Sequence, residues 1–280
     1  MFCDLHTHST FSDGKDTPEQ IVLKALDLGL EAVALCDHDC VDGLPRFLKA
    51  ARGKNIRAVA GAEFSVDYKD KELHLLALFI PEESFSVLTD LMEKEVRRKE
   101  KRNRDLIEKL NAAGYDLSYE EIRSSVPCGK FNRVAIAEAM MKKGYVESVK
   151  EAFATVLSEK GEYYEPGKRI DFFEMLEIIR SVKAVPVLAH PFLQLNKEEL
   201  EEFLPVAKKA GLAGMECMYS DFSVEQTECA LELAEKFGLE RSGGSDYHGS
   251  NKPHINLGVG RGNLRIPDEW VARLESAAVC

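Results

Sequence analysis

Residues 17–39 read TPEQIVLKALDLGLEAVALCDHD, a helix followed by a strand, and this unit decides the fold. Thr17 is placed to cap a helix, Pro18 takes its first position and Gln20 completes a capping box. The helix runs to Leu28, and Gly29 ends it. Ala32 to Cys36 is then a continuously apolar run, as expected of a strand buried on both faces of a parallel sheet. It delivers Asp37-His38-Asp39. On the N-terminal side, the apolar Phe2, Cys3 and Leu5 predict an earlier strand that ends in His6-Thr7-His8. On the C-terminal side, a helix from Leu44 to Lys54 leads to Ala58-Val59-Ala60 and then Gly61-Ala62-Glu63. Repetition of strand and helix is the signature of a parallel α/β fold.

The rhythm changes after Glu63. Glu63 to Val66 and Leu73 to Phe79 flank the polar stretch Asp67-Tyr68-Lys69-Asp70-Lys71, which predicts a hairpin with His74 near the start of its second arm. From about Val87 to Tyr164 only helical signals occur: a long charged helix over Leu91 to Leu110, then Arg133 to Lys143 and Val149 to Glu159. The lysines and arginines of the long helix read as a solvated face. This places a small helical insertion at 87–164 within a barrel formed by 1–86 and 165–280. Alternation resumes with a helix capped by Asp171 and the strand Val185 to Ala189, which ends in His190-Pro191. The Asn196/Glu199 capping box, a strand over Gly214 to Cys217 and a helix over Ser223 to Phe237 follow. The chain then reaches Gly244-Ser245-Asp246-Tyr247-His248-Gly249.

Set on that skeleton, the candidate ligands fall at one end of the sheet. His6 and His8 follow the first strand, His38 the second, Glu63 the third, His190 a later one, and Asp246 and His248 the last. Loops at the carboxyl ends of parallel strands converge on one crevice, so residues far apart in sequence can meet there. His74 precedes its apolar run, and the hairpin would have to carry it back over the same rim. A His-x-His pair by itself is commonly structural; five of the chain's seven histidines directly after strands are not expected from random scatter. With Asp13, nine nitrogen and oxygen ligands exceed the four or so that one zinc takes, implying two or three metal ions. Imidazole and carboxylate without thiolate suit Zn²⁺, Mn²⁺ or Fe²⁺. Metals sharing a carboxylate such as Glu63 suit in-line displacement at phosphorus, that is, hydrolysis of a phosphate ester.

Composition narrows the partners. The 280 residues are 45% hydrophobic and 30% charged, enough chain for one α/β barrel with an inserted smaller domain. A formal charge of −11 argues against a protein that holds long nucleic acid by bulk electrostatics. No run of roughly 18 apolar residues occurs and Met-Phe-Cys-Asp lacks the pattern of a secretory signal, so a cytoplasmic protein with no membrane partner is expected. Seven cysteines without a Cys-x-x-Cys pair fit reduced thiols.

The segments DLHTHS with SDG, CDHD, GAE, LHLL, AHP and GSDYHG together resemble the PHP (polymerase and histidinol phosphatase) family. The resemblance implies a distorted (β/α)₇ barrel and a trinuclear metal centre. It assigns His6, His8, Glu63 and Asp246 to one metal, Glu63, His74 and His190 to a second, and Asp13, His38 and His248 to a third. Asp13, His38, Glu63 and Asp246 would be the catalytic members, with a metal-bridging hydroxide attacking phosphorus. Asp13 and the helical insertion are similar to the small-molecule branch that acts on AMP and 3′,5′-nucleoside bisphosphates. That branch shows Arg-Pro-His where this chain has Arg133-Val134-Ala135, which keeps the arginine and drops the histidine. Arg133 can clamp a phosphate bidentately, and Lys168, Arg169 and His254 are further candidate phosphate contacts. The expectation is a metal-dependent phosphomonoesterase for a small phosphorylated metabolite, a nucleotide above all, with the insertion covering the leaving group. The alternatives are a histidinol-phosphate phosphatase, a short-oligonucleotide 5′-exonuclease and a non-catalytic metal-binding module.

Overall fold

The computed structural model describes residues 1–125, 133–158, 161–164 and 167–277. Glu159, the expected end of the last insertion helix, and two of the seven cysteines, Cys128 and Cys280, lie outside the described residues. The chain folds as two compact units, Met1–Thr89 with Arg169–Cys280, and Asp90–Lys168.

The larger unit is an α/β barrel. Its strands are β1 (Phe2–Asp4), β2 (Ala32–Leu35), β3 (Arg57–Tyr68), β4 (Lys71–Leu78), β5 (Val185–Leu188), β6 (Gly214–Tyr219) and β7 (Glu240–Gly244), laid side by side in chain order. The short β8 (Ile266–Pro267) pairs antiparallel with the outer edge of β1. The sheet is nearly closed where β7 returns to β1. Leu5 N–H donates to Gly243 O at 3.1 Å, Asp246 N–H to His6 O at 2.9 Å and His8 N–H to Tyr247 O at 2.9 Å. Helices α1 (Pro18–Asp27) and α2 (Leu44–Ala51) make the first crossovers. Later crossovers use α7 (Phe172–Ser181), α8 (Lys197–Ala210) and α9 (Val224–Phe237), and α10 (Glu269–Ser276) follows β8.

Local chemistry explains where these helices start. Thr17 and Gln20 cap α1 reciprocally, as do Asn196 and Glu199 at α8 and Ser223 and Gln226 at α9. Asp171 accepts from Phe173 N–H and Glu174 N–H at the start of α7. Between the helices and the sheet lie Phe47, Phe172 and Phe203, fully buried, with the last two rings edge to face at 4.9 Å.

The barrel is distorted at one place, and sequence alone misplaced the join. Ala58–Ala60 and the first hairpin arm form a single twelve-residue strand, β3, because the backbone changes partner without a break. Arg57–Ala60 pair in parallel with β2, and Gly61–Tyr68 pair antiparallel with β4. Strand β4 is then antiparallel to β5 as well. Its beginning, with His74 opposite Ser65, therefore lies beside the carboxyl half of β3. That reversal brings His74 to the same end of the sheet as the loops that follow the parallel strands.

Helix α3 (Phe85–Ala112) is longer than the charge pattern suggested, and the division between the two units falls within it. The smaller unit continues with α4 (Tyr119–Ser124), α5 (Arg133–Lys142) and α6 (Val149–Ala154). Its core includes Leu106, Leu110, Leu117, Ile136, Met140 and Leu157, with Tyr115, Tyr163 and Tyr164 packed against it. Among the described residues, no helix is long and apolar enough to cross a membrane.

Candidate metal centre

The centre is built around one carboxylate. Glu63 is fully buried on β3, and Oε1 lies 2.8 Å from His74 Nδ1 and 2.8 Å from His190 Nε2. Its other oxygen, Oε2, faces His38 Nδ1 at 3.0 Å, His6 Nε2 at 3.2 Å and His8 Nε2 at 3.3 Å. Asp246 Oδ1 stands 3.1 Å from His8 Nε2 and 3.3 Å from His248 Nδ1, and Asp13 Oδ1 is 3.1 Å from His248 Nε2. All nine residues expected as ligands are thus brought together.

Their grouping is more interlocked than three separate triads. Four sets have donor atoms within 4.8 Å of one another: His8, Asp13, His38 and His248; His6, Glu63 and His190; His6, His8 and Asp246; and His38, Glu63 and His74. His8 therefore belongs with Asp13 as well as with Asp246, and His38 reaches Glu63 as well as the Asp13 set.

The donor atoms fit a cation. His6 Nε2, both ring nitrogens of His8 and Glu63 Oε2 are sealed from solvent and make no hydrogen bond. Orphaned buried polar atoms cost about 1–3 kcal/mol each, and a cluster of them calls for an occupant. An imidazole and carboxylate set of this kind suits a divalent ion of the zinc or manganese type.

Electrostatics agree with that reading. Burial works to raise the Glu63 carboxyl, but the His6, His38 and His190 imidazoles outweigh it and hold the group well below the usual carboxylate range. Asp246 is likewise held low against burial by His8 and His6. Burial pushes the His8 imidazole down to about 3, which keeps the ring neutral with one nitrogen's lone pair available. His6 goes the other way: burial opposes its charge, but Glu216 and Glu63 raise it well above the ordinary value. A cation binding at His6 Nε2 would displace that ring's second proton.

The backbone around the ligands is held under strain. His190 and Asp246 adopt positive φ, 26° and 57°, which for non-glycine residues costs about 1–3 kcal/mol each. Hydrogen bonds fix both: His190 N–H donates to Glu216 Oε2 at 2.7 Å, and Asp246 N–H to His6 O at 2.9 Å. Asp4, buried on β1, accepts from Ser245 N–H at 2.8 Å, Ser245 Oγ at 2.5 Å and Gly258 N–H at 2.8 Å, locking the loop that carries Asp246. Asp37 does the same for the Asp13 loop, accepting from Ser9 N–H at 2.7 Å and Ser12 Oγ at 2.6 Å.

Gly244 permits the approach of β7 to β1. A Cβ there would overlap His6 Cβ and stand 2.6 Å from the His6 nitrogen. Gly244→Ala is therefore expected to destabilise the fold by about 1–3 kcal/mol, as overpacking does. Its bound metal should fall as well, because the displaced atom is the root of a ligand. Thermal unfolding and elemental analysis of the variant check both.

Three supporting residues escaped the sequence reading. Glu216, fully buried on β6, lies 3.0 Å from His6 Nδ1 through Oε1 and takes the His190 N–H through Oε2. Tyr219 donates its hydroxyl to Asp246 Oδ2 at 2.7 Å, and Lys252 Nζ meets the same oxygen at 2.5 Å. A carboxylate inside the otherwise apolar strand Gly214-Met215-Glu216-Cys217 was a signal that could have marked Glu216.

Two of the expected phosphate contacts, Arg169 and His254, belong to the barrel unit, and two, Arg133 and Lys168, to the helical unit. In the helical unit, the Arg133 guanidinium lies 3.7 Å from the centroid of the Tyr164 ring, with Leu157 O at 3.4 Å, and Lys168 is exposed. In the barrel unit, Arg169 is paired with Asp67 at 3.3 Å and Glu72 at 2.6 Å, and His254 is exposed. Glu72 Oε1 lies 3.5 Å from His74 Nε2, so Arg169 reaches the cluster only through another residue.

The PHP domain profile matches residues 4–165. The chain is 29% identical over 269 residues to a phosphoribosyl 1,2-cyclic phosphate 1,2-diphosphodiesterase of Eggerthella lenta, covering 92% of this chain and 99% of that one. It is 27% identical over 246 residues to a 5′-3′ exoribonuclease of Haemophilus influenzae, covering 88% and 89%. With a 3′,5′-nucleoside bisphosphate phosphatase of Chromobacterium violaceum it shares 26% identity over 257 residues, covering 91% and 90%. Among solved structures, a chain of Bifidobacterium adolescentis assigned as a metal-dependent phosphoesterase superposes with a TM-score of 0.71 at 27% identity, covering 98% of this chain and 96% of that one.

Proposed function

The chain belongs to the PHP domain family and hydrolyses phosphate esters with the help of metal; from that premise we propose that its substrate is a small phosphorylated nucleotide, AMP or a 3′,5′-nucleoside bisphosphate, from which it releases phosphate. The observation that carries the chemistry is the convergence of five imidazoles on the two oxygens of Glu63, with Asp246 and Asp13 completing the donor set. The similarity to the C. violaceum bisphosphate phosphatase and the acidic charge of the chain support a small nucleotide over long nucleic acid.

On this reading His6, His8, Glu63 and Asp246, together with His74, His190, Asp13, His38 and His248, hold two or three Mn²⁺, Zn²⁺ or Fe²⁺ ions. When bound, such ions neutralise phosphoryl charge and make water a nucleophile at neutral pH. The protein's own part is to aim the donors and keep them dry. Glu216 accepts a hydrogen bond from His6 Nδ1–H, which leaves the Nε2 lone pair facing the cluster. Tyr219 holds Oδ2 of Asp246, leaving Oδ1 toward the histidines. Arg133, Lys168, Arg169 and His254 stand as proposed contacts to substrate oxygens.

The test is a panel of AMP, 3′-phosphorylated AMP, histidinol phosphate and a short RNA, each incubated with Mn²⁺-loaded protein. Free phosphate from either nucleotide, abolished in His6→Ala and Asp246→Ala, is the expected result. Mononucleotides from RNA without free phosphate would make the protein an exonuclease, as the H. influenzae relative is named. Phosphate from histidinol phosphate alone would move it to that substrate. A folded, metal-loaded protein with no turnover of any of these, nor of a generic aryl phosphate, would leave only a metal-binding module.

A further inference from the structure

We infer that Lys252 is a substrate-binding residue of this centre, its ammonium contacting the phosphoryl oxygens of the bound ester; the inference rests on the phosphoesterase reading above. Three observations carry it.

The first is position. Lys252 Nζ lies 2.5 Å from Asp246 Oδ2, while the other oxygen of that carboxylate faces His8 and His248. The lysine side chain is 42% exposed and the aspartate 7%, so the ammonium stands where the buried donor cluster meets solvent.

The second is that this position is built. The short 3₁₀ turn Gly249–Asn251 directly precedes the lysine, and Lys252 N–H closes it onto Gly249 O at 3.1 Å. Asn251 Nδ2 donates to Asp13 O at 2.5 Å, which ties the same turn to the loop of another candidate ligand.

The third is the balance of charge and hydrogen bonding. The nine candidate ligands are carboxylates and imidazoles, and a phosphate ester approaching them brings further negative charge. An ammonium has three donors, and Asp246 engages one. Tyr219 already donates to the same Oδ2 at 2.7 Å, so the carboxylate keeps a partner when the lysine turns to a phosphoryl oxygen. Lysine acts on phosphate as a mobile point charge, which suits such an exchange.

The competing role is a fixed counter-ion that only steadies Asp246. Full-length protein loaded with Mn²⁺ is compared with Lys252→Met and Lys252→Arg. Calorimetry follows the binding of inorganic phosphate, elemental analysis reads bound manganese, and an aryl phosphate gives KM and kcat. For Lys252→Met, phosphate binding is expected to weaken about 10- to 30-fold, the loss of one partly exposed charge-assisted hydrogen bond, with KM rising in step. Manganese content stays at the parent level, and Lys252→Arg restores most of the phosphate affinity.

Unchanged phosphate affinity in Lys252→Met with reduced manganese would overturn the inference and leave the counter-ion role. If the parent turns over aryl phosphate and Lys252→Met matches it in KM and phosphate binding, the inference fails while the phosphoesterase reading stands. If the parent binds phosphate but turns over no ester, weakened phosphate binding in Lys252→Met upholds the lysine's role and removes the catalytic one.

Discussion

Glu63→Gln is expected to lower phosphate-ester turnover about a thousandfold, the equivalent of the roughly 3–5 kcal/mol lost when one partner of a buried charge pair is removed. Shape is nearly conserved, so the loss isolates charge and acceptor capacity. Glu63 Oε1 serves His74 and His190, and Oε2 serves His6, His8 and His38, all from a side chain with no exposed surface. A glutamine presents one acceptor oxygen, and its amide carries no charge to pair with a cation. Bound metal should fall with activity, and added Mn²⁺ should not restore turnover, because the lost group is itself a donor. Glu63→Asp keeps the charge on a shorter stem and should lie between the two. Retention of parent metal content and kcat/KM by Glu63→Gln, in protein with an unchanged circular dichroism spectrum, would remove Glu63 from the metal centre.

What could be read from sequence divides along physical lines. Helix starts were legible because capping is local: the Thr17/Gln20 and Asn196/Glu199 pairs are each complete within four residues and form as expected, and Asp171 caps its helix as read. The ligand residues were legible because their type is costly to bury without a purpose and they follow short apolar strands. The join inside β3 was not legible. Gly61-Ala62-Glu63 looks like a strand end followed by a turn, whereas pairing with β2 on one stretch and β4 on the next keeps the backbone extended. The short α4 and the two-residue β8 also went unseen, each too brief for periodicity to register.

The finer grouping of ligands lay beyond sequence for a different reason. That His38 Nδ1 comes within 3.0 Å of Glu63 Oε2 depends on β2 and β3 lying in parallel, with His38 bridged to Glu63. Tyr219 and Lys252 both reach Asp246 Oδ2, one from the end of β6 and the other from the turn after Gly249. Such convergence is a property of the nearly closed sheet and has no local signature.

Glu216 offers the test that separates holding a ligand from being one. Glu216 belongs to none of the candidate donor sets among the described residues, and each of its oxygens is engaged by the support it gives: Oε1 lies 3.0 Å from His6 Nδ1 and Oε2 accepts from His190 N–H at 2.7 Å. Its replacement should therefore weaken metal binding without removing a donor, by about 10- to 100-fold, the range for groups that orient metal-bound histidines. Glu216→Gln must turn its amide nitrogen either to the His190 N–H, setting N–H against N–H, or to His6 Nδ1, which then accepts only with the ring proton moved to Nε2, the nitrogen that faces the cluster. Glu216→Leu leaves the His190 N–H buried without an acceptor, at a cost of about 1–3 kcal/mol in stability as well. The strained φ of 26° at His190 then loses the bond that holds it. Chelator competition measures the affinity directly, and turnover at saturating Mn²⁺ supplies the contrast. In Glu216→Gln, kcat should return toward the parent once metal is in excess, whereas Glu63→Gln stays inactive. A Glu216→Gln protein whose activity no amount of Mn²⁺ restores would mean that this carboxylate does more than orient His6 and His190, and the division of roles between the two glutamates would have to be abandoned.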